Sequence, residues 1–217
     1  MTYRAVLFDF DFTLADSSKG IIESFAYAFD KLGIPVPASD DIRKTIGLSL
    51  TESLKRLTGI TDQEVYERFH TYFKEKADTV MTRETVLYPD TVRVLGLLKG
   101  KGLKTGIVTT KYGYRIREVI DKFGMHGLID IIIGGDAVTE MKPSPQGLNL
   151  AADRLNTDKR SILYVGDSVV DAQAAMAARI DFAAVTTGFA PADMFNKYPH
   201  KFIVRSLAEL AAVLAIV

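Results

Sequence analysis

Pairs of carboxylates follow short apolar segments at two places in the chain. Asp9 and Asp11 come directly after the apolar residues 6–8, and Asp167 and Asp171 come after a second apolar run. Burying two carboxylates at the end of a strand costs free energy of desolvation and does not stabilise the fold, which favours a functional role. Such groups can serve as nucleophiles, as general acids and bases, or as ligands of a hard metal ion.

Hydroxyl and amino groups accompany these carboxylates in comparable positions. Thr109, Thr110 and Lys111 follow a third apolar run, and Lys142 precedes Pro143 in a loop. Taken alone, Thr109 is typical of a β-strand and Lys142 is typical of a solvated loop. Together with the carboxylates, they predict a polar site built from four separate segments.

The charge of this set predicts a bound cation. Four aspartates against one lysine leave a net charge of −3, and like charges in a partly buried cleft repel strongly or take up protons. The chain has no cysteine, and its three histidines are scattered, so oxygen ligands favour Mg²⁺ over zinc or copper. Mg²⁺ with a lysine, a hydroxyl and carboxylates suits phosphoryl transfer. Asp9 or Asp11 would then be the nucleophile, and the other would act as acid and base.

The order of the predicted elements places these residues at one edge of a sheet. Beyond about residue 84, apolar runs typical of strands alternate with segments of helical periodicity. This alternation predicts a three-layer, doubly wound parallel sheet with helices on both faces, a Rossmann-like α/β core. Ligands of open parallel sheets bind at the carboxyl ends of the strands, which is where the polar residues occur.

An all-helical module interrupts this core after its first strand. The predicted domains are a catalytic core of residues 1–15 and 84–217 and a helical insert of residues 16–83. Capping boxes that begin at Ser49 and at Thr61 predict the starts of two helices in the insert. Four phenylalanines at helical spacing are expected to form its core: Phe25, Phe29, Phe69 and Phe73.

The composition excludes several classes of function. The 217 residues carry 27 Lys and Arg against 27 Asp and Glu, and this balance argues against nucleic-acid or membrane-surface binding. The absence of cysteine excludes disulfide scaffolds and cysteine nucleophiles. The sequence contains no stretch near the roughly 18 apolar residues of a membrane helix, and its N-terminus does not resemble a signal peptide, so we expect a cytoplasmic protein.

Four motifs together resemble the haloacid dehalogenase-like superfamily, and within it the phosphoglycolate phosphatase-like group with an inserted helical cap. They occur in the family's order over nearly the whole chain, at residues 9–14, 109–111, 142–145 and 166–171. The resemblance implies a phosphoric monoester hydrolase that depends on Mg²⁺ and forms an aspartyl-phosphate. The implied substrate is a small phosphorylated metabolite, such as a phosphoglycolate-like compound, pyrophosphate or a sugar phosphate.

The same resemblance implies roles for individual residues. Asp9 would attack phosphorus and form the phosphoaspartate. Asp11 would protonate the leaving oxygen and then activate water. Thr109 and Lys142 would hold the phosphoryl oxygens, with Thr110 also among the substrate-binding residues.

The implied Mg²⁺ site uses some of the same residues. Asp9, the main-chain carbonyl of Asp11 and Asp167 would be ligands, with Asp171 in or beside that set. The family usually has glycine after its second aspartate, whereas this chain has Phe12. Phe12 lacks the conformational freedom of glycine, which leaves the local backbone open, and it places an aromatic ring near the cleft.

The insert is expected to act as a cap and to contact the substrate. Gly47, Leu48 and Ser49 are similar to the cap segment that faces the substrate in the family. Related sugar phosphomutases usually carry arginine beside this serine, and Leu48-Ser49-Leu50 lacks it, so hydrolysis is favoured. A phosphomutase and a non-catalytic sensor of a phosphorylated ligand remain the alternatives. We expect a monomer or a weak homodimer.

Overall fold

The computed structural model describes residues 3–215, which form two compact units. Of the described residues, one unit contains 3–15 and 87–215, and the other is Asp16–Val86. The second unit ends at Val86 rather than at residue 83, because its last helix continues to Glu84. The predicted core also included residues 1, 2, 216 and 217, which lie outside the described residues.

Strands and helices alternate through most of the described chain. The strands are Ala5–Phe8 (β1), Ala15–Asp16 (β2), Val86–Leu87 (β3), Lys104–Val108 (β4), Ile131–Ile133 (β5), Ile162–Gly166 (β6), Asp181–Val185 (β7) and Phe202–Val204 (β8). The α-helices are Ser18–Leu32 (α1), Ser39–Arg43 (α2), Leu50–Thr58 (α3), Gln63–Glu84 (α4), Thr91–Gly100 (α5), Gly113–Phe123 (α6), Gln146–Arg154 (α7), Val169–Ala178 (α8) and Leu207–Val213 (α9). Within residues 3–215, none of these helices has both the length and the apolar character needed to cross a membrane.

Six strands of the larger unit form one sheet in the order β5-β4-β1-β6-β7-β8. All adjacent pairs are parallel, and Phe8 at the end of β1 is level with Ile107 of β4 and Val165 of β6. The carboxyl ends of β1, β4 and β6 therefore meet at one edge of the sheet. Because β4 and β6 lie on opposite sides of β1, this edge is the topological switch point, where ligands of such sheets bind. The predicted fold class, a doubly wound Rossmann-like sheet, is confirmed.

Alternating side chains along β1 divide the core of this unit into two apolar clusters. Val6 and Phe8 pack in one cluster with residues of α5, α6 and α9. Ala5 and Leu7 pack in the other cluster with residues of α7 and α8. Because strand side chains alternate between faces, Asp9 continues the row of Ala5 and Leu7. Asp9 therefore lies on the face of the sheet that packs against α7 and α8.

The helical unit has its own aromatic core. The four phenylalanines predicted for this core are buried, and five pairs of their rings have centroids 5.2 to 6.4 Å apart. Ser49 caps α3 as predicted, since its hydroxyl accepts from the Glu52 N–H. The predicted cap at Thr61 is wrong: Asp62 caps α4, and its carboxylate accepts from the Val65 N–H at 3.0 Å. An aspartate at this position provides a charged acceptor at the positive end of the helix.

Candidate active site

Three buried aspartates meet at the carboxyl edge of the parallel sheet. Asp9 follows β1, Asp167 follows β6, and Asp171 lies in the first turn of α8. One oxygen of each carboxylate lies within 4.8 Å of the other two. Their exposed fractions are 2%, 6% and 0%. Gly166 permits this approach, because a Cβ built on it would lie 2.5 Å from the Asp171 Cβ.

Asp171 is held in place by four donors. Its Oδ2 accepts from the Ser168 N–H and hydroxyl, within the capping box that starts α8. Its Oδ1 accepts from Lys142 Nζ at 2.5 Å and from the Tyr164 hydroxyl at 2.9 Å. Asp171 therefore fixes the start of α8 and anchors a lysine with the same carboxylate.

Lys142 lies between two of the aspartates. Its Nζ is 3.0 Å from Asp9 Oδ1 and 3.0 Å from the Tyr164 hydroxyl, in addition to its bond with Asp171. Burial lowers the pKa of Lys142, but the carboxylates of Asp171 and Asp9 raise it more, so the pKa lies above its usual range. The site therefore contains a fixed ammonium group beside Asp9.

The Asp9 carboxylate is desolvated and is paired with Lys142. Burial raises the pKa of Asp9 to about 6; the Lys142 ammonium opposes this shift, and the carboxylates of Asp171 and Asp11 add to it. Apart from its ion pair with Lys142 Nζ at 3.0 Å, Asp9 Oδ1 accepts no hydrogen bond from the described residues. Burial, with Asp171 and Asp9 nearby, also raises the pKa of Asp167 well above its usual value. A cation would offset both penalties.

The donor set fits Mg²⁺. Oxygens on opposite sides of Mg²⁺ are about 4.2 Å apart at its usual ligand distances, which is compatible with the spacing within 4.8 Å seen here. Asp167 uses Oδ1 to accept from the Thr13 hydroxyl at 2.9 Å, whereas both oxygens of Asp171 already accept from neighbouring donors. Asp9 and Asp167 are therefore better placed as ligands than Asp171.

Asp11 and Lys111 form a second buried ion pair next to this cluster. Lys111 Nζ lies 3.1 Å from Asp11 Oδ2, and the two side chains are only 6% and 9% exposed. The Asp11 carboxylate is outside the group of three aspartates, which leaves its main-chain carbonyl as the predicted metal ligand. The sequence-based count of one lysine is corrected to two, so the net charge of the set is −2.

The remaining predicted residues lie in two different units. Thr109 follows β4, is 6% exposed, and accepts from the Lys111 N–H at 3.3 Å, while Thr110 is half-buried beside it. Gly47, Leu48 and Ser49 lie in the helical unit between α2 and α3. Their contact with a substrate stays a prediction.

Tyr164 is a site residue that the sequence analysis missed. It lies in β6 and is fully buried, and its hydroxyl is 3.0 Å from the Val108 carbonyl and 2.9 Å from Asp171 Oδ1. Burial, reinforced by Asp171 and Asp9, raises the pKa of Tyr164 well above its usual value, so the hydroxyl keeps its proton. A tyrosine within an apolar strand was the available signal, because a buried tyrosine hydroxyl needs a partner.

Replacing Tyr164 with phenylalanine is expected to lower the free energy of unfolding by about 1–3 kcal/mol, because a buried carboxylate and ammonium lose a shared partner. Urea denaturation measures this change. Tyr3→Phe is the matched control, since the Tyr3 hydroxyl donates to Asp181 in a half-buried setting, and we expect a loss of less than about 1 kcal/mol. Equal losses of unfolding free energy in the two variants would contradict the placement of Tyr164 in the charged site.

Phe12 adopts the backbone conformation that a glycine would supply. Its φ is 58°, in the left-handed region that favours glycine. Its ring is 5% exposed and packs edge-to-face on Phe189, with centroids 5.3 Å apart. Tertiary contacts therefore hold a conformation that the residue type disfavours.

The chain is similar to known proteins along most of its length. The family model of haloacid dehalogenase-like hydrolases matches residues 6–185. A phosphoglycolate phosphatase of Neisseria gonorrhoeae is 36% identical over 197 residues, which cover 86% of this chain and 81% of that protein. A pyrophosphatase of Bacillus pumilus is 29% identical and covers 98% of this chain and 96% of its own.

A solved structure from Bacteroides fragilis, assigned to the haloacid dehalogenase-like hydrolases, superposes with a TM-score of 0.94. It is 44% identical, and the match covers 96% of this chain and 100% of that chain. The predicted resemblance and the prediction of an enzyme of the phosphatase class are confirmed by these matches. The chain therefore belongs to the haloacid dehalogenase-like hydrolase family and is similar to its phosphoglycolate phosphatases.

Proposed function

We propose that this enzyme is a Mg²⁺-dependent phosphatase that hydrolyses a small phosphorylated metabolite through an aspartyl-phosphate on Asp9. The observation that carries the proposal is the buried Asp9 carboxylate, whose Oδ1 is paired only with the fixed ammonium of Lys142 at 3.0 Å. Such a pair offers a nucleophile and a positive charge for phosphoryl oxygens at the same point. The named relatives act on phosphoglycolate and pyrophosphate, which are small phosphorylated compounds of this kind.

The first chemical step is attack of an Asp9 oxygen on phosphorus. The bond between phosphorus and the leaving oxygen breaks, and Asp11 gives that oxygen a proton. Lys142 and Thr109, with Thr110, hold the non-bridging oxygens. The carboxylate pair Asp9 and Asp171 keeps the Lys142 ammonium charged and in position for this task.

The second step returns Asp9 to its starting state. A water oxygen attacks phosphorus, Asp11 takes a proton from that water, and the bond between phosphorus and Asp9 breaks. Inorganic phosphate and the Asp9 carboxylate are the products. When bound, Mg²⁺ would neutralise charge between the carboxylates and the phosphoryl oxygens. Asp9, Asp167 and the Asp11 carbonyl are the proposed ligands.

The helical unit is the proposed cap of this enzyme. Its segment Gly47-Leu48-Ser49 is proposed to contact the leaving group. The cap would then select the substrate, while the core residues carry out the reaction. A cytoplasmic location, a monomeric or weakly dimeric state, and the absence of nucleic-acid and membrane partners are part of the same proposal.

A substrate panel tests the proposed activity. Phosphoglycolate, pyrophosphate, nucleotides and sugar phosphates are assayed for phosphate release with Mg²⁺ and with a chelator. We expect release from at least one compound, with nearly complete loss in the chelator. Isomerised sugar phosphate without phosphate release would indicate a mutase, and ligand binding without any turnover would indicate a sensor. Either outcome contradicts the proposal.

The Asp9 carboxylate is expected to lower the stability of the metal-free protein as the pH rises from about 4 to about 7. Asp9 ionises near pH 3.9 when unfolded but only near pH 6 when folded, so it is protonated in both states at low pH. Above pH 6, the folded state bears the full ionisation penalty, about 3 kcal/mol for the shift of about two pH units. Mg²⁺ at a hundredfold excess over its dissociation constant should add about 2.7 kcal/mol at neutral pH.

Urea denaturation across this pH range, with and without Mg²⁺, measures both effects. The comparison is between the wild type and Asp9→Asn, because the titrating groups that do not interact with Asp9 then cancel. A constant difference in unfolding free energy between the two proteins across the range would contradict the expected pH dependence.

A further inference from the structure

Contacts from one loop reach both the turn after β1 and the Asp167 carboxylate. We call residues 187–189, which follow β7, the β7 loop. The Thr187 hydroxyl donates to the Phe12 carbonyl, and the Phe189 ring packs on the Phe12 ring at an interplanar angle of 72°. Gly188 lies against the Asp167 carboxylate. These residues all belong to the same compact unit.

Phe12 needs such support because its backbone is strained. A left-handed φ in a residue with a side chain costs about 1–2 kcal/mol and persists only where the surroundings impose it. Within the turn, the Phe12 N–H donates to the Ala15 carbonyl at 2.7 Å. The β7 loop adds a hydrogen bond to the Phe12 carbonyl and an aromatic contact to its ring.

The position of Phe12 connects this strain to the site. Phe12 lies between Asp11, the proposed acid and base, and Thr13, whose hydroxyl donates to Asp167 Oδ1 at 2.9 Å. A rotation of the Phe12 backbone would displace both neighbours. Thr13 would then release one oxygen of Asp167, which the structure places among the three carboxylates.

Gly188 restricts the other side of the same carboxylate. A Cβ built on Gly188 would overlap Asp167 Oδ2 and would lie 2.8 Å from Cγ. Asp167 is thus confined between the Thr13 hydroxyl and the backbone at Gly188, so any side chain at position 188 must push the carboxylate away.

We propose that Thr187, Gly188 and Phe189 are positioning residues of the metal site. They hold the strained Phe12 turn and the Asp167 carboxylate in the arrangement that binds Mg²⁺. This inference rests on the proposed function, because it concerns the same ion. Partners that orient metal ligands typically contribute 10–100-fold to metal affinity.

The first test compares Thr187→Val with Thr186→Val in the full chain. Thr186 is the neighbouring threonine, and its hydroxyl is directed at the Val204 carbonyl at 3.4 Å rather than at Phe12. Calorimetric titration with Mg²⁺ should show about tenfold weaker binding for Thr187→Val and no change for Thr186→Val. Thr187→Ser keeps the hydroxyl and should restore the affinity. With the best substrate, kcat should fall while KM changes little.

The second test compares Gly188→Ala with Gly96→Ala. Gly96 lies in α5, and a Cβ there meets no described atom within 4 Å, so this control should bind Mg²⁺ like the wild type. Gly188→Ala should weaken Mg²⁺ binding at least tenfold. Thermal unfolding without metal shows whether each variant is folded before it is titrated.

A double-mutant cycle tests the link through Phe12. Glycine at position 12 adopts the left-handed conformation without strain, so the turn depends less on the β7 loop. In the Phe12→Gly background, Thr187→Val should therefore weaken Mg²⁺ binding less than threefold, against about tenfold in the wild type. Equal effects in both backgrounds would contradict the proposed coupling.

The Mg²⁺ titration separates this inference from the proposed activity, because it needs no substrate. Weakened Mg²⁺ binding in Thr187→Val and Gly188→Ala supports the inference even if the panel reveals no turnover. Wild-type affinity in both folded variants overturns it, even if the wild type is an active phosphatase. A wild type that binds no Mg²⁺ overturns both proposals.

Discussion

Asp9→Asn is expected to abolish phosphate release, by a factor of at least about 10³, while the protein stays folded. Asparagine has nearly the shape of aspartate, but its amide cannot attack phosphorus to form a phosphoaspartate. Mass spectrometry of acid-quenched wild-type protein should find phosphate on Asp9, and the variant should carry none. Retained activity near the wild-type level would overturn the proposed mechanism.

The same substitution is expected to stabilise the metal-free protein at neutral pH. Burial raises the pKa of Asp9, so its ionised form opposes folding, and asparagine removes that penalty of up to about 3 kcal/mol. Activity lost together with stability gained cannot arise from a damaged fold. This combination distinguishes a functional carboxylate from a structural one.

Asp130→Asn is the matched control for both measurements. Burial raises the pKa of Asp130, but hydrogen bonds from Lys99 and the Thr105 N–H lower it more, so its ionised form favours folding. The control should therefore lose stability at neutral pH and keep its activity. Opposite signs of the stability change in two Asp→Asn variants follow directly from the opposite pKa shifts. A stability loss in both would contradict the assignment of Asp9.

The sequence was sufficient to predict residues that the strand ends bring together. Asp9 and Asp167 each follow an apolar strand, and parallel strands place such positions at one edge whatever the details of packing. The capping box at Ser168 fixes where Asp171 lies on its helix. Local patterns and topology are therefore enough for the carboxylate cluster.

Contacts between distant segments were beyond the reach of these patterns. The pairing of Lys111 with Asp11 and the contact of Tyr164 with Asp171 depend on side-chain directions that no local pattern specifies. Phe12 is a further example. Its residue type does not predict a left-handed backbone, and contacts from Thr187 and Phe189 support that conformation. Local sequence patterns therefore do not predict backbone conformations that are disfavoured by residue type and stabilised by contacts with distant segments.

Lys142→Met is expected to be the most disruptive single substitution in the site. It removes the ammonium from between Asp9 and Asp171, both of which are at most 2% exposed. Removing one partner of a buried ion pair costs about 3–5 kcal/mol, because the remaining charges are left uncompensated. Urea denaturation of the metal-free protein at neutral pH should show a loss of this size. Phosphate release should fall by about 10³-fold, because a phosphoryl-holding charge is lost as well.

Two controls separate charge from side-chain volume and from a general lysine effect. Lys74→Met removes an equally short ion pair with Asp78, but those side chains are 46% and 35% exposed, so we expect a loss below about 1 kcal/mol. Lys142→Arg keeps the charge and should recover part of the stability, whereas its planar guanidinium should not restore phosphate release. Mg²⁺ should reduce the stability loss of Lys142→Met, since a second cation then faces the same carboxylates. If Lys142→Met unfolds at the wild-type urea concentration, the buried lysine does not compensate this cluster, and the electrostatic basis of the site is wrong.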